Sequence, residues 1–393
     1  MTTRRPRSTA AGSQGPSELD DRIASGEAQA VVIWRGRPIA FAALPERIAS
    51  IANRSDRNLL LAGYIEAVEA LNPLRAERLA SRTAAATEGG DADLVAAVAR
   101  RDAFDPGMLA VEMTRFLNAS ETVYYAALRR YLALTDIEQG DASVADLWHV
   151  LRGSGWTHWF ETRRLETALA ATGARPDAGE AALPDGTSGW ALTHARLTIT
   201  GETTAGARVA GALRGWLLAD LDWLETELEV PSSEAAALAD FGAFTRLYQL
   251  RRDVALLAYE LRLYRTDDPA LQRAYFAGLQ GLQTGVAVPD GLYLREVDEP
   301  FASAQRLRVE IAAGIVAEAL RSRIGHRWWR APAAASEVSA VGAADTHEDV
   351  VARLGYDHLD WRPVLRQIRT QLIGEMSGYG GPNITTRAGT RKV

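Results

Sequence analysis

Residues 241–264 read FGAFTRLYQLRRDVALLAYELRLY. Phe241, Phe244, Tyr248, Ala255 and Tyr259 fall along one stripe at helical spacing, so the stretch reads as a long buried helix and sets a mainly α fold. On its C-terminal side, Asp268-Pro269 has the form of a cap followed by a first-turn proline. A loop spans Thr284 to Gly291. Leu307, Ile311, Ile315 and Ala319 then give an i, i+4 seam, which Gly325 ends in the manner of a C-cap.

On its N-terminal side, 174–206 is rich in glycine and proline, and helix resumes at about Val209. Within that stretch Trp190 to Thr200, WALTHARLTIT, partly alternates and reads as a short β element near residue 194. Further upstream, Leu60, Tyr64, Val68 and Leu71 mark a helix face that Asn72-Pro73 is expected to interrupt. Thr87 to Asp91 reads as a loop, and Asp105-Pro106 opens another helix. Ala30 to Leu44, AVVIWRGRPIAFAAL, has two apolar runs around Arg35-Gly36-Arg37 and predicts a β hairpin.

The chain has 393 residues, 47% hydrophobic and 24% charged, which is too apolar for a disordered protein. It has no cysteine, which excludes disulfides, cysteine–zinc sites and thiol nucleophiles. Of the 44 basic residues all but Lys392 are arginine, leaving no lysine in the folded body for Schiff-base or general-base work. A net charge of −6 argues against sequence-independent nucleic-acid binding, which relies on neutralising phosphates. No apolar run approaches the ~20 residues that span a bilayer. The basic, polar start lacks the apolar stretch of a signal peptide. The expectation is a cytoplasmic protein with no membrane or nucleic-acid partner.

A helical HExxH zinc site needs two histidines four apart, so that both point from one face. No two of His149, His158, His194, His326, His347 and His358 have that spacing. No metal or other cofactor is expected. GxGxxG with a following acid, a Walker loop and a GxSxG elbow are absent. Asp220, Asp222 and Glu225 form an acidic cluster that reads as solvated helix surface. Trp156 with Trp159, and Trp328 with Trp329, read either as core packing with a half-exposed partner or as anchors of a protein interface, where tryptophan is enriched.

Several segments together resemble the thimet-oligopeptidase-like and oligoendopeptidase-like zinc peptidases. They are Leu250 to Tyr264, Tyr293 to Leu307 (YLREVDEPFASAQRL) with Ile324 to Trp329 after it, and Phe116 to Phe160 upstream. The resemblance is collinear over about 45–370. It implies HExxH and a later glutamate as zinc ligands. The collinear stretch here is Leu192 to Ile199, LTHARLTI. His194 takes the first ligand position, Ala195 stands where the catalytic glutamate belongs, and Thr198 stands where the second histidine belongs. No glutamate occurs from Thr203 to Leu224, where the third ligand is expected. Ala302 and Arg306 fall where relatives tend to carry tyrosines.

Zinc cannot acidify water without ligands to hold it. The implied protein keeps the helical frame of a peptidase and has no catalytic residues. Its expected architecture is a multi-helix, two-lobed, peptidase-like body with a hairpin near the N-terminus and a short β element near 194. The expected organisation is a disordered arm (1–17), hairpin plus helical lobe (18–173), a remnant of the catalytic region (174–206), a C-terminal helical lobe (207–373) and a tail (374–393). On the resemblance, Trp190, His194, Tyr259, Glu260 and Arg306 would line a residual groove. The expected partner is a protein or peptide, with an active peptidase of the same family among the candidates. Two other readings stay open: a metallopeptidase with dispersed ligands, and a plain helical structural protein.

Overall fold

Asp105 accepts hydrogen bonds from the backbone N–H groups of Gly107 (2.7 Å) and Met108 (3.1 Å), and Pro106 takes the first helical position. That cap starts one of the long helices of the computed structural model, which describes residues 16–170, 204–266 and 268–373. The expected β element near residue 194, most of the arm and the tail from 374 lie outside the described residues.

The first part runs α1 (Pro16–Gln29), β1 (Val31–Trp34), β2 (Arg37–Ala40), α2 (Leu44–Ser50), α3 (Arg54–Glu88), α4 (Leu94–Asp102), α5 (Pro106–Ala133), α6 (Val144–Leu151) and α7 (Thr162–Ala170). The second runs α8 (Ala205–Leu217), α9 (Leu221–Thr226), α10 (Ser232–Leu263), α11 (Arg273–Thr284), α12 (Ala302–Ile324), α13 (Pro332–Gly342), α14 (His347–Ala352) and α15 (Arg362–Ile373). The mainly α expectation holds, and the predicted hairpin is present. Arg35 and Gly36 both adopt positive φ (51° and 77°), the backbone that a tight two-residue hairpin turn needs.

Asn72-Pro73 does not end a helix, contrary to the sequence reading: α3 runs through Pro73 from Arg54 to Glu88. Proline removes one ladder hydrogen bond, and side chains around it supply others. Arg75 Nη1 donates to the Val68 carbonyl (3.0 Å) and to Asn72 Oδ1 (3.3 Å). Asn72 Nδ2 donates to the Gly291 carbonyl (2.9 Å), tying the helix to the loop before α12.

One apolar cluster extends from Phe41 to Leu372, so helices on both sides of 171–203 share a core. Within it, α5 packs against α10. The Tyr131 ring stacks on Phe244 at 4.6 Å, and Arg251 lies over Tyr124 at 4.7 Å. The stripe read from the sequence, Phe241, Phe244, Tyr248, Ala255 and Tyr259, is buried throughout. Against the other side of α10 and α12 pack α8 and α15. The approach is so close at Gly314 that a Cβ there would overlap Val364 and crowd Trp216.

Candidate functional site

Arg246, Asp253 and Glu260 are seven residues apart on α10, two helical turns each, so they lie on one face. The facing helix, α12, brings Ser303, Arg306 and Glu310 against them. Arg246 Nε lies 3.3 Å from Glu310 Oε2. Arg306 holds Asp253 through Nε (2.9 and 3.1 Å) and Nη2 (2.6 Å). Glu260 accepts from the Ser303 hydroxyl, from the Phe301 backbone N–H (2.6 Å) and from the Tyr264 hydroxyl (2.8 Å). Partner numbers fall along α12 as they rise along α10, so the helices are antiparallel and joined by three polar rungs.

Each rung has its own electrostatics. Arg246 is buried with its guanidinium 4.0 Å from the Trp216 ring of α8, a cation–π contact. Burial lowers the pKa of Arg246 and raises that of Glu310, and each partner opposes the shift of the other. The middle rung is the open one: the Arg306 side chain is 46% exposed, whereas Asp253 is buried. Glu260 is 1% exposed, and burial pushes its carboxyl up to about 7 against its three hydrogen bonds. Its work is local. Phe301, at a left-handed φ of 57°, precedes α12, and the Glu260 carboxylate takes the Phe301 N–H and the Ser303 hydroxyl at the start of that helix and the Tyr264 hydroxyl at the end of its own.

The structure therefore brings together three of the five predicted groove residues. Glu260 and Arg306 are in the seam. Tyr259 sits beside it, fully buried, its ring 5.1 Å from that of Phe276 and its hydroxyl without a hydrogen-bond partner. Burial raises the pKa of that hydroxyl. Trp190 and His194 lie outside the described residues. Arg246, Asp253, Ser303 and Glu310 were missed, although the seven-residue spacing on α10 is visible in the sequence.

The interface expectation fares differently at its two ends. Trp328 and Trp329 are buried, with Trp329 Nε1 donating to Glu227 (2.9 Å), so their rings face the interior and are not surface anchors. Trp156 and Trp159 are half-buried in the 3₁₀ turn Ser154–Trp159. Trp159 Nε1 donates to Glu234 (2.9 Å) under the Arg164 guanidinium. The acidic cluster also needs correction. Asp220 is buried, caps α9 through the Trp223 N–H (3.1 Å) and pairs with Arg321 (2.6 Å).

Among the described residues, no group of three histidines or carboxylates could hold a metal, and no helix is long and apolar enough to cross a membrane. His149 Nδ1 is bonded to the Ala49 carbonyl (2.7 Å).

Two of the solved structures with a similar fold match over 91% of the chain. One is oligoendopeptidase-F from Enterococcus faecium, with a TM-score of 0.62, 12% identity and 71% of that chain covered. The fold is similar to that of oligoendopeptidase F. A putative Oligoendopeptidase F gives a TM-score of 0.63 at 14% identity, with 74% of that chain covered. No family model and no curated protein matches by sequence. The resemblance read from α10 and α12 thus holds at the level of the fold. At this identity the oligoendopeptidase F likeness speaks for architecture alone.

Proposed function

We propose that the chain is a non-catalytic protein on the oligoendopeptidase F fold that binds a peptide or protein partner in the cytoplasm. The observation that carries this reading is the occupancy of the seam's acids. A general base or metal ligand needs a carboxylate lone pair that is free and within reach of substrate. Asp253 and Glu310 are each engaged by an arginine of the facing helix, and Glu260 is engaged by three donors. A carboxyl with a pKa near 7 would suit acid–base work, but Glu260 is sealed from solvent. The sequence supports the same reading, because LTHARLTI offers one histidine where a zinc peptidase needs two and a glutamate.

The test is zinc quantification on the full chain purified without chelator, with a quenched-peptide cleavage assay on the same sample and fluorescence-polarisation binding of the same peptides. The expected result is no bound zinc, no chelator-sensitive cleavage and saturable peptide binding. Near-stoichiometric zinc with chelator-sensitive cleavage would overturn the reading in favour of a metallopeptidase with dispersed ligands.

A further inference from the structure

The N-terminal hairpin has one open edge. The Phe41 N–H bonds the Ala30 carbonyl (3.0 Å), and the register then pairs Val31 with Ala40, Val32 with Ile39, Ile33 with Pro38 and Trp34 with Arg37. Antiparallel ladders alternate bonded and non-bonded pairs. Ala30, Val32 and Trp34 therefore turn their backbone N–H and C=O groups toward β2. Val31 and Ile33 turn theirs the other way, to the free edge of β1. The outer edge of β2 is blunted, because Pro38, which faces it, has no N–H.

α3 runs beside the free edge and antiparallel to β1. Arg35 pairs with Asp56 (2.5 Å), and Val32 lies so close to Gly63 that a Cβ there would meet its Cγ1 at 2.9 Å. Between β1 and α3 is a groove of about 640 Å³, whose walls include Val31, Ile33, Leu59, Ala62 and Glu66. Val31 is 54% exposed, and Ile33 and Leu59 are each 65% exposed. A bare strand edge flanked by exposed apolar side chains is a template for a further strand.

The charges at the two ends of the groove say which strand. At the turn end, Arg35 is matched by Asp56, but the exposed Arg37 forms no ion pair among the described residues. It shares the hairpin face of Trp34 and Val32, the face turned to α3. At the other end, past Gly63, the exposed Glu66 forms no ion pair among the described residues either. An antiparallel occupant should thus be a short apolar strand with a cation beyond its C-terminal end. β1 itself, VVIW before the Arg35–Arg37 turn, has this form. Set against a copy of itself about a two-fold axis through Val32, Val31 of each copy pairs with Ile33 of the other. Both free N–H groups and both free carbonyls of each edge are then satisfied, and Arg37 of the second copy arrives at the Glu66 end. Such an interface is isologous, so each contact is made twice.

We propose that the chain forms a two-fold homodimer by antiparallel addition of β1 to β1, with Arg37 of each copy facing Glu66 of the other. This surface is separate from the seam and does not depend on what the seam does.

The test is sedimentation velocity of the full chain across a range of concentrations, joined to cysteine cross-linking. The chain has no native cysteine, so an introduced one reports its own position. In the proposed pairing Val32 stands opposite Val32 of the second copy in a non-bonded pair, with Cα atoms about 4.5 Å apart, where a disulfide can close. Val32→Cys is expected to give a disulfide-linked dimer under mild oxidation, and Ala40→Cys, exposed on β2, to give none. Arg37→Glu and Glu66→Arg are each expected to weaken the dimer about ten-fold, because each reversal acts at two places. The double variant is expected to restore it. All three are expected to melt as wild type when dilute, because neither side chain has an ion pair to lose within one copy. A wild-type chain that stays monomeric across the range would overturn the proposal. So would a dimer indifferent to both charge reversals, or one that a folded Val32→Cys chain does not cross-link. If Val32→Cys unfolds, the charge swap decides alone.

Discussion

Arg306 grips Asp253 by both carboxylate oxygens across the gap between α10 and α12, yet the two ends of the pair live in different media. Asp253 is buried and Arg306 is half in water. Cutting the pair from its two sides therefore has unequal effects. Arg306→Ala leaves a buried carboxylate with only the more distant Arg252 (3.7 Å) beside it and is expected to cost about 1–3 kcal/mol. Asp253→Asn returns an arginine to solvent and is expected to cost under about 1 kcal/mol. Urea unfolding of both variants reads the order directly; an equal or reversed order would contradict the assignment of burial.

Glu260 sets a pH dependence. Its pKa in the fold is raised to about 7, above the ~4.3 of an unfolded glutamate. The folded state then binds the extra proton between those values, so this contribution is present below about pH 4 and is lost as pH rises through 7. Glu260→Gln should flatten the fall in stability across that window. Glu260→Ala should cost roughly 2 kcal/mol or more at any pH, because it strands the Phe301 N–H and two hydroxyls. Denaturant midpoints from pH 4 to 8 compare the three proteins, and parallel curves for wild type and Glu260→Gln would contradict the raised pKa.

Asp146 ties α6 to α3. It accepts from Arg57 (2.6 Å) and Arg54 (3.2 Å) of α3 and from the Ser143 N–H (2.9 Å), completing the capping box of α6. Arg57 and Asp146 are both buried. Asp146→Ala leaves the Arg57 charge buried and alone, and a loss of about 3–5 kcal/mol is expected. Thermal unfolding unchanged within a degree would contradict it.

Two glycines separate soft from hard crowding. A Cβ on Gly314 would meet Val364 and Trp216 side chains, which can shift, and Gly314→Ala should cost about 1–3 kcal/mol. A Cβ on Gly206 would meet the backbone carbonyl oxygens of Val341 and Ala344, which cannot turn aside. Gly206→Ala should lower the melting temperature further than Gly314→Ala, and calorimetry on the pair decides.

The parts of the fold that were legible in the sequence are those set by local rules. Asp105-Pro106, the Arg35-Gly36 turn and the buried stripe of α10 each declare themselves within a few residues. Pro73 was misread because its helix is sustained from a distance, by the Gly291 carbonyl more than two hundred residues away. Asp220 was misread for the same reason: a carboxylate does not announce the neighbour that buries it. For the seam, the α10 half was visible as a seven-residue repeat. The α12 half needed the fold, because no periodicity says which helix faces which.

Three rungs across one helix pair also constrain what α10 and α12 can do wrongly. Slide one helix by a turn, about four residues, and Asp253 faces Glu310. Slide it the other way, and Arg246 faces Arg306. Either misalignment opposes like charges in a poorly hydrated seam, whereas an all-leucine interface would accept all three alignments at similar energy. The ladder therefore acts as a register key, and it predicts how the pair can drift over evolutionary time: a charge reversal at Arg246 is tolerated only with its opposite at Glu310, so the two positions are free to change together and not alone.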